Sequence, residues 1–287
     1  MSTSLETASK YIKKRTITLG PVNDLENHVN PEWWKHLFNS LYIKTDGDVV
    51  NDDGITRNEV DIFLQILNID KEALILDVCC GQGRHSFEFF ERGYVNITGL
   101  DRSPYLITKA RQKGKDHNLS IKFKEGDARK LPFRENTFDV IMILGNSFGY
   151  FECLKDDLQV LCSAGKVLKP GGKLLLDVAD GNFLKTHFKA RSWEWINKTH
   201  FVCRERCLSA SGKKLISREV ITQTNKGVIA DQFYSENLYD SNDLVDLLKL
   251  SGFEDIIVSQ SLEVRSQRNQ DLGMMENRII ISGSLMK

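Results

Sequence analysis

From residue 73 onward, short apolar runs alternate with helix-sized stretches, and this alternation restricts the fold more than any other feature of the chain. Ala73 to Cys80, Val95 to Asp101, Ile121 to Asp127, Phe138 to Gly145 and Lys173 to Val178 each read as a buried strand. The segments between them are long enough for crossover helices, so the strands are expected to run parallel in a sheet covered on both faces. Local punctuation agrees. Ser103-Pro104 is an N-cap with proline at the first helical position, Gly93 sits where a helix-ending glycine belongs, and Pro170-Gly171-Gly172 turns into the fifth strand.

The flanking segments follow other periods. Met1 to Asn30 is polar without a clear period and reads as a loosely held arm. From Pro31, Trp34, Leu37, Phe38 and Leu41 fall on one face of a helix, and Thr56 to Glu59 has the spacing of a capping box ahead of Val60, Phe63, Leu64 and Leu67. Between about Asp180 and Asp240 the period moves towards two, which predicts an antiparallel meander inserted in the α/β core. Ser241 to Asp243 caps a last helix, and two strands, Glu254 to Ser259 and Asn277 to Ser284, close the chain. The organisation expected is therefore an arm and helix over residues 1–54, a Rossmann-like core over 55–180, an inserted substrate or lid region over 181–240, and the rest of the core over 241–287.

Composition narrows the partners. The 287 residues carry 39 Lys+Arg against 39 Asp+Glu, so no net positive field draws nucleic acid or anionic lipid. No apolar run reaches the ~18 residues of a membrane span. The six cysteines lie scattered in apolar or mixed segments without a preceding secretory signal, and a reduced, cytoplasmic setting is expected. Cys203 and Cys207 have no second pair at ligand spacing, so no metal is expected.

The chemistry concentrates where the first strand runs into its helix, at Asp77-Val78-Cys79-Cys80-Gly81-Gln82-Gly83-Arg84-His85. In a doubly wound sheet this is where a nucleotide binds. Gly81 and Gly83 permit a sharp turn and a close approach of ligand to backbone, although a purely structural turn would look the same. Asp101 ends the second strand, where a carboxylate can accept from both ribose hydroxyls of NAD or of S-adenosylmethionine (SAM). Two features separate these cofactors. The dinucleotide fingerprint wants a third small residue near position 86, which is Ser86 here, and SAM has no pyrophosphate to cradle. Gly126-Asp127-Ala128 then ends the third strand, offering a carboxylate and a backbone N–H to an adenine, or else a loop cap.

On these motifs, together with Gly99-Leu100-Asp101, Leu131-Pro132-Phe133 and Leu168-Lys169-Pro170-Gly171-Gly172, the chain resembles the class I SAM-dependent methyltransferases over roughly residues 55–285. The resemblance implies a seven-stranded sheet of order 3-2-1-4-5-7-6 with the last strand antiparallel and SAM as cofactor. It also implies contacts from Gly81 and Gly83 to the methionine part, from Asp101 to the ribose, and from Asp127 and Ala128 to the adenine. Cys80, Arg102 and Leu144 complete the expected cofactor set, with Tyr42 closing over it from the N-terminal helix. Ser147-Phe148-Gly149-Tyr150 after the fourth strand is similar to a segment of small-molecule N-methyltransferases, including those that dimethylate amino sugars.

Methyl transfer asks the protein chiefly to align the nucleophile and exclude water, and a hydroxyl acceptor would also need a base. Tyr150 is the first candidate to orient or deprotonate the acceptor and His187 the second. A packed aromatic and a surface or capping histidine are their structural alternatives. Trp193, Trp195, Tyr234 and Tyr239 could line a pocket or pack within the inserted sheet. The expectation is methyl transfer to a small molecule, with N-methylation favoured and pairing of two copies through the insertion allowed for. O-methylation of a small molecule or a peptide carboxyl or hydroxyl, a non-catalytic SAM-binding module and a nicotinamide oxidoreductase are the competing readings.

Overall fold

The computed structural model describes residues 20–259, 262–265 and 271–286, the side chain of Asp48 excepted; residues 1–19 of the expected arm lie outside them. The parallel strands are β1 (Ile75–Val78), β2 (Ile97–Asp101), β3 (Lys122–Glu125), β4 (Phe138–Ile143) and β5 (Leu168–Ala179). A separate meander holds β6 (Arg191–Trp195), β7 (His200–Leu208), β8 (Lys214–Gln223) and β9 (Gly227–Asn237). The chain then returns through β10 (Phe253–Val258), β11 (Leu262–Glu263) and β12 (Asn277–Leu285). The main sheet has the order β3-β2-β1-β4-β5-β12-β10, with β12 antiparallel to both neighbours and the two-residue β11 paired to it. This is the seven-strand Rossmann-like order that the resemblance implies. Every residue of β1 is buried, and all but one of β4, because helices cover both faces.

Short N-terminal helices replace the single helix expected after Pro31: α1 (Trp34–Leu37), α2 (Tyr42–Thr45) and α3 (Gly47–Val50). The first break falls at Asn39, whose side chain competes for the backbone, and the second at Asp46-Gly47. Asn39 Oδ1 accepts from the Leu41 N–H at 2.7 Å, and Asp46 and Gly47 interrupt the next turn. As a result Trp33, not Trp34, is the buried tryptophan of the pair. Helix α4 (Asp53–Leu67) starts earlier than expected, because Asp52 rather than Thr56 is its N-cap and accepts from the Ile55 N–H at 2.8 Å. Its Val60, Phe63 and Leu67 are fully buried, each contributing about 1.5–3 kcal/mol by leaving water.

The remaining helices are α5 (Arg84–Glu91), α6 (Pro104–Asp116), α7 (Leu154–Val167), α8 (Gly181–His187) and α9 (Ser241–Leu250). The Ser103 cap on α6 forms as expected, while the cap of α9 is Asp240, in a capping box with Asp243.

Helix α8 occupies the start of the segment expected to be all meander. On β6 and β7 of the meander the buried face is the reverse of the one that apolar alternation suggests, whereas Ile216 and Ile221 of β8 and Leu238 after β9 are buried. Val202, Arg204 and Arg206 of β7 are buried, whereas Phe201, Cys203 and Cys207 are only half-buried. Trp193 and Trp195 on the edge strand β6 are 68% and 50% exposed. Charged side chains face inward because they neutralise one another there. The expected loose arm is also corrected from residue 20 on. Arg218 donates to the Gly20 carbonyl at 2.7 Å, the Ala210 N–H donates to Glu26 at 2.9 Å, and His28 stacks on Phe233.

Candidate functional site

The turn after β1 carries three left-handed residues, Cys79, Gly81 and Gly83, and its two glycines are needed for different reasons. A Cβ at Gly83 would lie 2.8 Å from Phe123 and 3.1 Å from Phe87, so this glycine lets α5 pack on the sheet. A Cβ at Gly81 would meet nothing nearer than Leu106 at 3.9 Å, on a side that opens into a cavity. Asp101 reaches this turn from the end of β2. Its Oδ2 accepts from the Gly81 N–H at 2.8 Å and its Oδ1 from the Ser103 N–H at 2.7 Å. Burial pushes its pKa up, while these backbone donors hold the charged form.

Asp101, Arg102, Leu106, Asp127 and Ala128 border a cavity of about 100 Å³. Asp127 is fixed by Arg129, whose backbone N–H donates at 2.9 Å and whose guanidinium donates to both oxygens at 3.1 and 2.7 Å. Partial burial works against its charge, but the Arg129 bonds outweigh it and keep the pKa below the usual value. The N-terminal segment forms the far wall. Ser103 donates its hydroxyl to the Phe38 carbonyl at 2.7 Å, and the Gln82 amide donates to the Val50 carbonyl at 2.9 Å and to Asn51 at 3.0 Å. Tyr42 thereby borders this cavity and the next, and burial with nearby Asp46 keeps its hydroxyl protonated.

A second cavity of about 140 Å³ lies between the carboxyl ends of β1 and β4 and the inner face of the meander. It shares Phe38, Tyr42, Cys79, Gly81, Gly145 and Tyr150 with the first. Strand register sets Arg204, Glu219 and Gln232 in one row and Arg206, Ser217 and Tyr234 in the next. Arg204 bridges Glu194 and Glu219, the latter at 3.1 Å, and Arg206 pairs with Asp271 at 2.7 Å. Burial pushes Glu236 up to about 7.

Beneath the turn, buried Glu59 accepts from Arg84, Arg278 and, at 2.8 Å, His85. Arg278 also pairs with Asp177, which accepts from the Gly145 N–H at 3.0 Å. Burial, helped by Arg84, lowers His85 to about 4 and keeps it neutral. Asp77 in β1 accepts from the Ser86 hydroxyl at 2.5 Å, and burial pushes it up to about 7.

Of the expected site residues, Asp101, Arg102, Asp127 and Ala128 border the smaller cavity, Cys80 and Leu144 the larger, and Tyr42, Gly81 and Tyr150 both. Gly83 borders neither. Tyr150 donates its hydroxyl to the Asn146 carbonyl, and burial beside Glu236 raises its pKa well above 10. Such a hydroxyl can orient an acceptor but cannot serve as a base near neutral pH. His187 is exposed at the end of α8, stacked on Phe183 at 4.2 Å, and borders neither cavity. Trp193 and Trp195 point away, and Tyr239 donates to Asp157 at 2.6 Å; only Tyr234 of the four aromatics reaches the larger cavity.

Sequence reasoning missed Asp46, Asn146, Arg204 and Glu236. The one available signal was the pair of charges at alternate positions, Arg204 with Arg206, inside an otherwise strand-like segment. Among the described residues no group of three or more His, Cys, Asp or Glu is placed to hold a metal, and no helix is long and apolar enough to cross a membrane.

The strand order, the open Gly81 turn and the acidic ends of β2 and β3 define a class I SAM-dependent methyltransferase fold. Residues 75–172 match the family described as "Methyltransferase domain", and the chain carries that domain. A demethylmenaquinone methyltransferase of Deinococcus radiodurans is 41% identical over 103 residues, which are 36% of this chain and 41% of that protein. The chain thus spans less than half the length of this relative. Among solved structures, a SAM-dependent methyltransferase from Clostridium acetobutylicum superposes with a TM-score of 0.65 at 17% identity, covering 82% of this chain and 93% of that one. The sugar N-methyltransferase KedS8 from Streptoalloteichus gives 0.58 at 18%, covering 82% and 89%. At these identities the superpositions speak for the fold.

Proposed function

We propose that the protein moves the methyl group of SAM to a small-molecule acceptor seated in the larger cavity, with nitrogen the favoured acceptor atom. The observation that carries this reading is the junction of the two cavities along Cys79, Gly81 and Tyr150. A donor held on one side meets an acceptor held on the other. The residues of the smaller cavity fit SAM: Asp101 keeps acceptor sites for ribose hydroxyls beyond its two backbone donors, and Asp127 with the Ala128 N–H suits an adenine edge. Gly81 leaves open backbone towards the methionine end.

Bound there, SAM would supply a methyl group already activated by its sulfonium. The chain's part is alignment and exclusion of water, through the wall of α1 to α3 and the roof of β7 to β9. The names of the demethylmenaquinone and sugar N-methyltransferase relatives support a small acceptor, and the second supports nitrogen. Pairing of two copies along the open edge of β6, and a cytoplasmic setting, belong to the same proposal.

Calorimetry with SAM and NAD side by side tests the donor assignment. SAM is expected to bind in the low micromolar range or tighter and NAD not to bind; binding of NAD alone would overturn the reading.

A further inference from the structure

Among the described residues, the larger cavity is bordered by more carboxyls than guanidiniums. Five carboxyls border it, Asp46, Glu194, Glu219, Glu236 and Asp271, against three guanidiniums. One of these, Arg84, is committed to Glu59 beneath the turn. Arg204 answers Glu194 and Glu219, and Arg206 answers Asp271. Asp46 is exposed to solvent, accepts from the Thr45 hydroxyl at 2.9 Å and feels the field of Arg204.

Glu236 is 4% exposed, and its Oε2 accepts from the Asn146 amide at 2.9 Å. Its Oε1 has no hydrogen-bond partner among the described residues. A buried carboxylate with one free oxygen costs folding energy unless something donates to it. Asn146 is in turn held rigid: its Oδ1 accepts from the Ala179 N–H at 2.9 Å, and its N–H donates to the Asp177 carbonyl at 3.0 Å. It lies three residues after β4 on the larger cavity, between Gly145 and Ser147, which border both.

Resting on the function proposed above, we infer that Glu236, oriented by Asn146, binds the acceptor as an ammonium and takes up the proton that must leave before methylation. The acceptor is then a primary or secondary amine, cationic when it enters. Its ammonium gives one proton to the Glu236 carboxylate. The freed lone pair forms the N–C bond while the C–S bond breaks with its electron pair passing to sulfur, and the methylated ammonium leaves as Glu236 returns its proton to solvent. A base that works near neutral pH needs a pKa close to the working pH, and burial brings Glu236 there, with Arg206 and Asn146 pulling the other way. Among the described residues, Arg206 on β7 and Tyr150 after β4 interact electrostatically with Glu236, and Tyr234 on β9 and Asp271 before β12 also border the cavity.

The test pairs a chemical block with a variant. A small-molecule extract is incubated with the protein and methyl-labelled SAM, before and after treatment with N-acetoxysuccinimide, which caps amines and spares hydroxyls. Label should enter the untreated extract and vanish after capping; label that survives capping overturns the inference alone. Absence of label together with absence of SAM binding would overturn the function on which it rests, and this inference with it. For Glu236→Gln, SAM affinity and melting temperature should stay within twofold and a few degrees, while transfer falls at least 100-fold and the rise of kcat/KM through about pH 7 disappears. The amine recovered from the first arm should bind the S-adenosylhomocysteine complex of this variant at least tenfold more weakly than that of the wild type, with Glu236→Asp between them. Equal affinity and an unchanged pH profile would overturn the assignment, and the capping arm stands whether or not the variant folds.

Discussion

Asp101 holds the Gly81 turn through one oxygen and the start of α6 through the other, so the group proposed to meet SAM also shapes the cavity it borders. Asp101→Ala is expected to weaken SAM binding by ~1.5–3 kcal/mol through loss of charge-assisted bonds; calorimetry showing unchanged affinity would remove Asp101 from the site. Glu59 anchors three cationic or polar partners with its side chain 1% exposed. Removing its charge leaves Arg278 and Arg84 undercompensated, and Glu59→Gln should cost about 3–5 kcal/mol in denaturant unfolding. The sign of its pH dependence follows from its pKa, which Arg84 and Arg278 hold well below 4.5 against the opposing effect of burial. A lowered carboxyl contributes fully above the unfolded value and loses that contribution as pH falls, so the gap between wild type and variant should close below about pH 4.5. Asp101, Asp127 and Gly81 were legible because each ends a strand or opens a turn in a pattern set by local sequence. Glu236 and Asn146 were not, since 90 residues separate them and only tertiary packing brings them together.

The parallel strands and the Ser103 cap could be read from the chain because their burial is nearly continuous and their punctuation local, whereas the caps of α4 and α9 fall on Asp52 and Asp240 instead. The meander could be placed but the faces of β6 and β7 could not: alternation identifies two faces without saying which is inside, and on these strands the buried ion pairs of Arg204 and Arg206 take the inner face. The face assignment has a direct consequence. Replacing both Trp193 and Trp195 on β6 by serine should change stability by no more than about 0.5 kcal/mol and leave SAM affinity and transfer rate within twofold. A large loss of transfer in that double variant, measured with folded protein, would mean that the outer face forms part of the site. The N-terminal turns failed as a single helix for a related reason, since Asn39, Asp46 and Gly47 outweigh an apolar stripe that spans only a few residues.

For the whole molecule, equal numbers of acidic and basic residues and a roof whose charges face inward leave little to attract a polyanion. Filter binding to RNA and DNA at physiological ionic strength should show no salt-sensitive complex, and a steep salt dependence would indicate phosphate contacts instead. Two adjoining cavities lie at the strand ends and under the meander, and in the proposed function methyl transfer runs from the first to the second. The measurement that reaches it most directly is mass spectrometry of a small-molecule extract incubated with the protein and trideuteromethyl SAM. The account predicts a labelled low-mass product formed in equal amount with S-adenosylhomocysteine; label confined to the macromolecular fraction, or SAM bound without any turnover, would contradict it.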